Sequence, residues 1–396
     1  MPEIEGPRGA KVDELGEVLD LVNLVFRTSR GMKPTMQEEF PLLFNESNVE
    51  NLRIIKVNGK VVSHVGIFEC DAIIYGCRLK VGMIGSVCTH PDYRRRGFAT
   101  RLIEDAVNKM RKDGVNIVMI SGIRRLYDRA GCAIAGLSYD VYVDQEDVAK
   151  IDDTEIEIEL DKGNKVDEFI RIYEHESIRY VRPYEHFKTL LSGSAWHASG
   201  LIHERYPFLV RMGDEYLAYL IVHKSERSEG RLVEYSGLRT LILPALKKVM
   251  KKHSIRGISF KVPWWDFELL TLIRRAGLRI SNKSTMINGT MRLLVVDDFL
   301  ERIKPYIIER LGEYGLNLNI EEVDADRYTI SFKQEKITLK NPKELAWIVF
   351  GIPEEINPRY HEFMPKRELM PKGGELRKVI EKIFPLPSLP YGLYYT

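Results

Sequence analysis

The stretch Asp92-Tyr93-Arg94-Arg95-Arg96-Gly97-Phe98-Ala99 gathers the residues best suited to hold a charged ligand. Arginine presents planar N–H forks that match phosphate oxygens. Gly97 opens backbone conformations closed to other residues and lets a ligand approach the chain. Beyond it, Leu102, Ile103, Ala106, Val107 and Met110 recur at three- and four-residue intervals, so a helix starts at this turn. Its first N–H groups and the positive end of its dipole face the same point. An arginine cluster and a helix N-terminus together suit a pyrophosphate. A solvated basic turn or a nucleic-acid contact competes for the same residues.

A strand must deliver the chain to this turn, and the β-rich run 79–88 leads into it through Val87-Cys88-Thr89-His90-Pro91. Upstream, Val12, Leu15, Val18, Leu19, Val22, Val25 and Phe26 form a helical stripe. Residues 52–57 then run into Asn58-Gly59, a tight-hairpin signal, and residues 61–68 and 72–75 continue to a second turn at Tyr75-Gly76. Downstream, Gly114 stops the helix and residues 115–120 form a short apolar run, as in a buried strand. A layered α+β (α/β) domain over residues 1–148 follows. The charged stretch 149–155 reads as a linker.

Residues 149–283 repeat the pattern coarsely. A helix is expected over 166–180, strands at 208–212 and 217–222, a helix at 241–250 and a strand at 255–262. Ala276-Gly277 then echoes Ala130-Gly131, a degenerate internal repeat without the arginine and glycine turn. Residues 284–396 form a third part. It holds a strand at 291–296 and a helix capped by Asp297-Asp298, in which Pro305 marks a kink or the true start. Its tail, 385–396, carries three prolines and three tyrosines, and rings at that density favour docking over exposure.

Composition narrows the function. Lys and Arg number 59 against 57 Asp and Glu, a formal net charge of +2, too small an excess for a protein that coats nucleic acid. Cys70, Cys77, Cys88 and Cys132 form no CxxC pair, which argues against a bound metal or a disulfide framework and for a reducing cytosol. The opening residues show no secretory pattern and no run approaches the roughly 18 apolar residues of a membrane span, so a cytoplasmic, membrane-free protein is expected. GxxxxGK[ST], HExxH and GxSxG are all missing.

The spacing Arg94-x-x-Gly97-x-Ala99 between a strand and a helix, then a buried strand and Tyr127-Asp128-Arg129-Ala130-Gly131, resembles the cofactor loop and the Tyr-x-x-x-Gly of GCN5-related N-acetyltransferases. The three-part chain resembles the enhanced intracellular survival (Eis) family within that superfamily. This resemblance implies two tandem acetyltransferase-like domains, the second degenerate, before a sterol-carrier-protein-like domain. It implies acetyl-CoA as cosubstrate, a primary amine of a small molecule or protein lysine as acceptor, and a homo-oligomer. The backbone of Val87, Cys88 and Thr89 would hold the pantetheine arm. Arg94, Arg95, Arg96, Gly97, Phe98, Ala99 and Thr100 would wrap the pyrophosphate, and Gly122 and Ile123 would flank the cofactor from the next strand. Tyr127 would be the general acid and the terminal carboxylate of Thr396 the general base, although a terminal aromatic is more familiar there. A core tyrosine is the competing role for Tyr127, a small buried residue that for Cys88, and His90 reads as structural. Phe26, Glu38, Phe40 and Trp196 are candidate lining residues of the acceptor cleft. The alternative to an enzyme is a non-catalytic acyl-CoA or lipid binding protein.

Overall fold

The computed structural model describes residues 2–197, 200–285, 289–324 and 326–394. The strands in chain order begin with β1 (Ile4–Gly9), β2 (Leu52–Val57), β3 (Lys60–Ile74), β4 (Cys77–Thr89), β5 (Ile117–Ser121) and β6 (Leu137–Asp144). The middle supplies β7 (Glu157–Leu160), β8 (Ile178–Tyr180), β9 (His203–Met212), β10 (Glu215–Ser225), β11 (Glu229–Gly237), β12 (Gly257–Pro263) and β13 (Ile280–Thr285). The last third adds β14 (Gly289–Leu293), β15 (Leu318–Asp324), β16 (Arg327–Phe332) and β17 (Glu335–Leu339). They make a sheet ordered β1-β2-β3-β4-β5-β14 with β8 on β3, a second ordered β13-β6-β12-β11-β10-β9-β7, and a third, β15-β16-β17.

Local chemistry explains the meander. Asn58 (φ 49°) and Gly59 (φ 76°) turn β2 into β3, and Tyr75 (φ 49°) and Gly76 (φ 78°) turn β3 into β4. The helix Phe98–Lys112 buries Phe98, Leu102, Ile103, Ala106, Val107 and Met110 on this sheet. Each large apolar side chain so buried stabilises the fold by about 1.5–3 kcal/mol. Its approach is close: a Cβ at Gly82 of β4 would lie 2.5 Å from the Met110 sulfur.

The two large sheets share one sequence of elements. In the first, β2-β3-β4 is followed by the helix Phe98–Lys112, by β5 parallel to β4, and by the short helix Arg125–Arg129. In the second, β9-β10-β11 is followed by the helix Arg239–Lys252, by β12 parallel to β11, and by the helix Phe267–Arg275. The sheets do not respect the expected boundaries at 148 and 283. β6, placed with the first part, pairs with β12 and β13 of the second sheet. β14, placed with the third, pairs antiparallel with β5 and completes the first sheet. Hydrophobic periodicity identifies a strand but not the edge it joins, because both sheets offer similar apolar faces.

Other departures are local. β1, β6, β7, β8, β11, β13 and β15 went unrecognised, and the helix expected over 166–180 runs only from Val166 to Tyr173, with β8 taking the end of that span. Pro305 lies inside the helix Val296–Leu311, which Phe299, Leu300, Ile303, Tyr306 and Ile307 hold by burial. Val295 stands at its N-cap position, and Asp298 instead accepts hydrogen bonds from Asn116 (2.7 Å) and Arg302. Among the described residues no helix is long and apolar enough to cross a membrane.

This strand exchange predicts that a fragment ending at residue 148 will not fold. It leaves the apolar edge of β5 without β14, an exposed strand template, and strands β6 without a sheet. Far-UV circular dichroism and size-exclusion chromatography of the fragment should show an aggregating, poorly structured chain.

Candidate active site

β4 and β5 run parallel and in register from Val81 with Ile117 to Ile84 with Ile120. Beyond that pair they separate. Ser63 faces Thr89, His64 faces Cys88 and Gly66 faces Gly85, so Ser86 and Val87 together oppose Val65 alone. This is a β-bulge, and Ser86 takes a φ of 51° to make it. β5 ends at Ser121, followed by Gly122 at φ 101°. The cleft between the strands therefore has Val87, Cys88 and Thr89 on one bank and Gly122 and Ile123 on the other. Ser63 ties down the first bank, donating to the Cys88 carbonyl at 3.1 Å and lying 2.7 Å from the Thr89 hydroxyl. Burial pushes the Cys88 thiol well above its usual range, so a thiolate nucleophile is disfavoured there.

At the cleft mouth, Pro91–Tyr93 form a single turn whose Asp92 N–H donates to His90 Nδ1 at 3.3 Å, so His90 caps the loop. Arg94 Nε donates to the Thr89 carbonyl at 3.3 Å; Arg96 donates to the Asp92 carbonyl and stacks on Tyr93. Arg95 (φ 62°) and Gly97 (φ 77°) both adopt left-handed backbone, and the helix begins at Phe98. Among the described residues, no carboxylate pairs with Arg94, Arg95 or Arg96, and the N–H groups of Phe98, Ala99 and Thr100 have no acceptor. Around a Cβ placed on Gly97 the space is open. Three uncompensated guanidinium groups beside unpaired amides form an anion cradle.

Tyr127 sits in the helix Arg125–Arg129 and is only 2% exposed. It shares a buried cluster with Val87 and Phe98, and its Cε2 lies 3.8 Å from where a Gly122 Cβ would be. The fold thus sets Tyr127 beside Gly122 and in one buried cluster with Val87. Thr396 lies outside the described residues.

The tail is docked as far as Tyr394. Tyr394 stacks on Phe68 of β3 at 5.3 Å and meets Tyr180 of β8 edge-on at 4.8 Å. Sequence reasoning missed the group that holds it. Arg182 and Glu234, both buried, form a bidentate pair with both contacts at 2.7 Å. Glu234 also accepts from the Tyr219 hydroxyl (2.7 Å) and the Leu393 N–H (3.1 Å), while Arg182 lies 4.9 Å from the Tyr394 ring centroid. Burial alone would raise the Glu234 pKa; the Arg182 charge and these donors outweigh it and hold the carboxyl below its ordinary value. Glu234 is on β11, one of the strands that went unrecognised, so no local signal pointed to it.

His64 is the other residue missed. Its fully buried ring lies beside Phe44, and Nδ1 is 3.0 Å from the Ser86 carbonyl at the bulge. Burial lowers its pKa to about 4, the carbonyl partly opposing the shift. Of the candidate lining residues, Trp196 borders a cavity of about 500 Å³ on the second sheet, with Tyr142, Tyr235, Trp265 and Tyr391; Phe26, Glu38 and Phe40 do not line it.

Residues 7–135 match the acetyltransferase (GNAT) domain family. The match ends just before β6, where the chain leaves the first sheet. No curated protein matches the sequence. Three solved structures share the fold across nearly the whole length. A probable N-acyltransferase from Enterococcus faecalis V583 has a TM-score of 0.62 at 12% identity, covering 98% of this chain and 97% of its own. A GCN5-related N-acetyltransferase from Anabaena variabilis ATCC 29413 has a TM-score of 0.62 at 14% identity, covering 97% of each. Eis1 from Mycobacterium abscessus has a TM-score of 0.61 at 13% identity, covering 98% of each. At such identities the likeness is one of fold.

Two stability outcomes follow. Arg182→Met leaves Glu234 buried without its cation, and urea unfolding should show a loss of about 3–5 kcal/mol. For His64, the unfolded ring binds a proton below its ordinary pKa of 6.5 while the folded ring resists until about 4. Stability should therefore fall by roughly 3 kcal/mol for this group as the pH drops through that window. Urea titrations at several pH values should show that slope reduced in His64→Leu.

Proposed function

We propose that the protein is an acetyl-CoA-dependent N-acetyltransferase acting directly on a primary amine of a small molecule or a protein lysine. The observation that carries this reading is the coincidence of the strand-parting cleft with the anion cradle at its mouth, both within the segment that matches the GNAT domain. The cradle suits a diphosphate. The backbone of the Val87–Thr89 bank, which lies beyond the last pair with β5, suits an amide-bearing arm, which can pair with it as a strand would.

Acetyl-CoA would supply a thioester, whose acyl carbon an uncharged amine attacks. An alkyl amine with a pKa near ~10 is mostly protonated at neutral pH, so a base must remove a proton first. We assign that role to the Thr396 carboxylate, ionised at neutral pH with a pKa near ~3.5. The Arg182–Glu234 pair supports this by holding Leu393, three residues upstream. Tyr127 is assigned to protonate the departing sulfur, and N–H groups of the Val87–Thr89 bank to stabilise the developing oxyanion. No acyl-enzyme is needed, in keeping with the raised Cys88 pKa.

The rest of the reading is architectural. The second sheet is a degenerate copy of the first: only Leu238 separates β11 from the helix Arg239–Lys252, leaving no room for a cradle. Arg239 is bound there by Glu176 (2.7 and 2.8 Å) and Asp266 (2.8 Å). The last third is taken as sterol-carrier-protein-like, and the protein as a cytoplasmic homo-oligomer.

Thiol release from acetyl-CoA over a panel of amines tests the proposal. Tyr127→Phe and deletion of Thr396 should each lower kcat by about 100-fold or more while calorimetric CoA affinity persists. Gly97→Trp should abolish CoA binding by filling the cradle. Bound CoA with no amine-dependent thiol release would overturn the catalytic reading.

A further inference from the structure

We infer that His64 is a positioning residue that sets the β4 bulge, and through it the bank on which the acyl donor lies. The inference rests on the acetyl-CoA reading of the cleft. Its starting point is geometric. β4 leaves β5 after Ile84, and the bulge at Ser86 and Val87 follows one residue later. Ser86 adopts a left-handed φ of 51° that a side-chain-bearing residue takes only when its surroundings hold it. The Ser86 Oγ is buried and has no hydrogen-bond partner among the described residues, so its own side chain does not hold it.

The ring opposite does. His64 lies on β3, facing Cys88, and places Nδ1 3.0 Å from the Ser86 carbonyl. A carbonyl only accepts, so the contact requires the proton on Nδ1. The neutral ring favoured by burial supplies that tautomer throughout the neutral range. The other nitrogen, Nε2, is buried with no partner among the described residues. Leucine or phenylalanine would suit the pocket formed by Leu43 and Phe44 without stranding a polar atom there. What histidine adds at this place is one N–H aimed at the bulge carbonyl.

The consequence reaches the cleft through the backbone. If the Ser86 carbonyl turns, the peptide plane to Val87 turns with it, and the Val87–Thr89 bank loses its aim. His64 touches no reacting atom in this scheme.

The test compares His64→Asn, whose amide N–H can replace that of Nδ1, with His64→Leu, which removes it, and with the double variant His64→Leu/Ser86→Gly, where glycine accepts the φ freely. Calorimetric CoA affinity should fall about tenfold in His64→Leu and stay within about threefold of the parent in His64→Asn. The double variant should regain part of the loss. Affinity and kcat should move while KM for the amine stays put. Hydrogen exchange at 86–89 reads the bulge without any ligand: it should quicken in His64→Leu and not in His64→Asn. If His64→Leu, folded by circular dichroism, exchanges and binds like the parent, or if His64→Asn is as impaired as His64→Leu, the inference is overturned. If the parent chain binds no CoA, the acetyl-transfer reading fails, and the exchange comparison still decides the part played by His64.

Discussion

The cleft depends on how little of β4 and β5 is paired. Two parallel strands with four residue pairs in register must part once one bulges, and the freed backbone groups of the longer strand then face a wedge. Those groups cannot be left buried without partners, so a wedge of this kind suits a ligand that carries amides of its own. The same parting points the N-terminus of the helix Phe98–Lys112 at the wedge mouth, because that helix must return over the sheet to begin β5. Cleft and cradle are thus two consequences of one crossover connection.

The second sheet shows what the loop adds. β11 and β12 pair over three positions and then part in the same way. There the chain passes through a single residue into its helix, and Glu176 and Asp266 already satisfy Arg239 at the helix start. One topology yields an anion cradle where the loop is long and its arginines lack carboxylates, and an internally neutralised cleft where it is not.

The two large sheets are stitched together by strands from distant stretches of the chain. β8 adds to β3, β14 to β5, and β6 crosses to the second sheet. The tail runs back to Glu234 and Phe68. A buried Arg–Glu pair is a modest source of net stability, since removing two charges from water costs several kcal/mol each. Its directional hydrogen bonds are better suited to fixing one geometry. Here they bind β11, Arg182 just past the end of β8 and the N–H of Leu393 into one arrangement.

The amino-acid order by itself determined what depends on neighbours a few residues apart. The two hairpin turns at Asn58-Gly59 and Tyr75-Gly76, the amphipathic face from Leu102 to Met110, and the arginine and glycine turn before it all follow from short-range backbone sterics and helical period. Tertiary structure alone decided which edge each strand joined, that the Ser86 carbonyl of the β4 bulge meets His64, and how Arg182 meets Glu234 from 52 positions away. Burial and pairing between distant residues leave no periodic trace in either partner, so these features exist only once the sheets have formed.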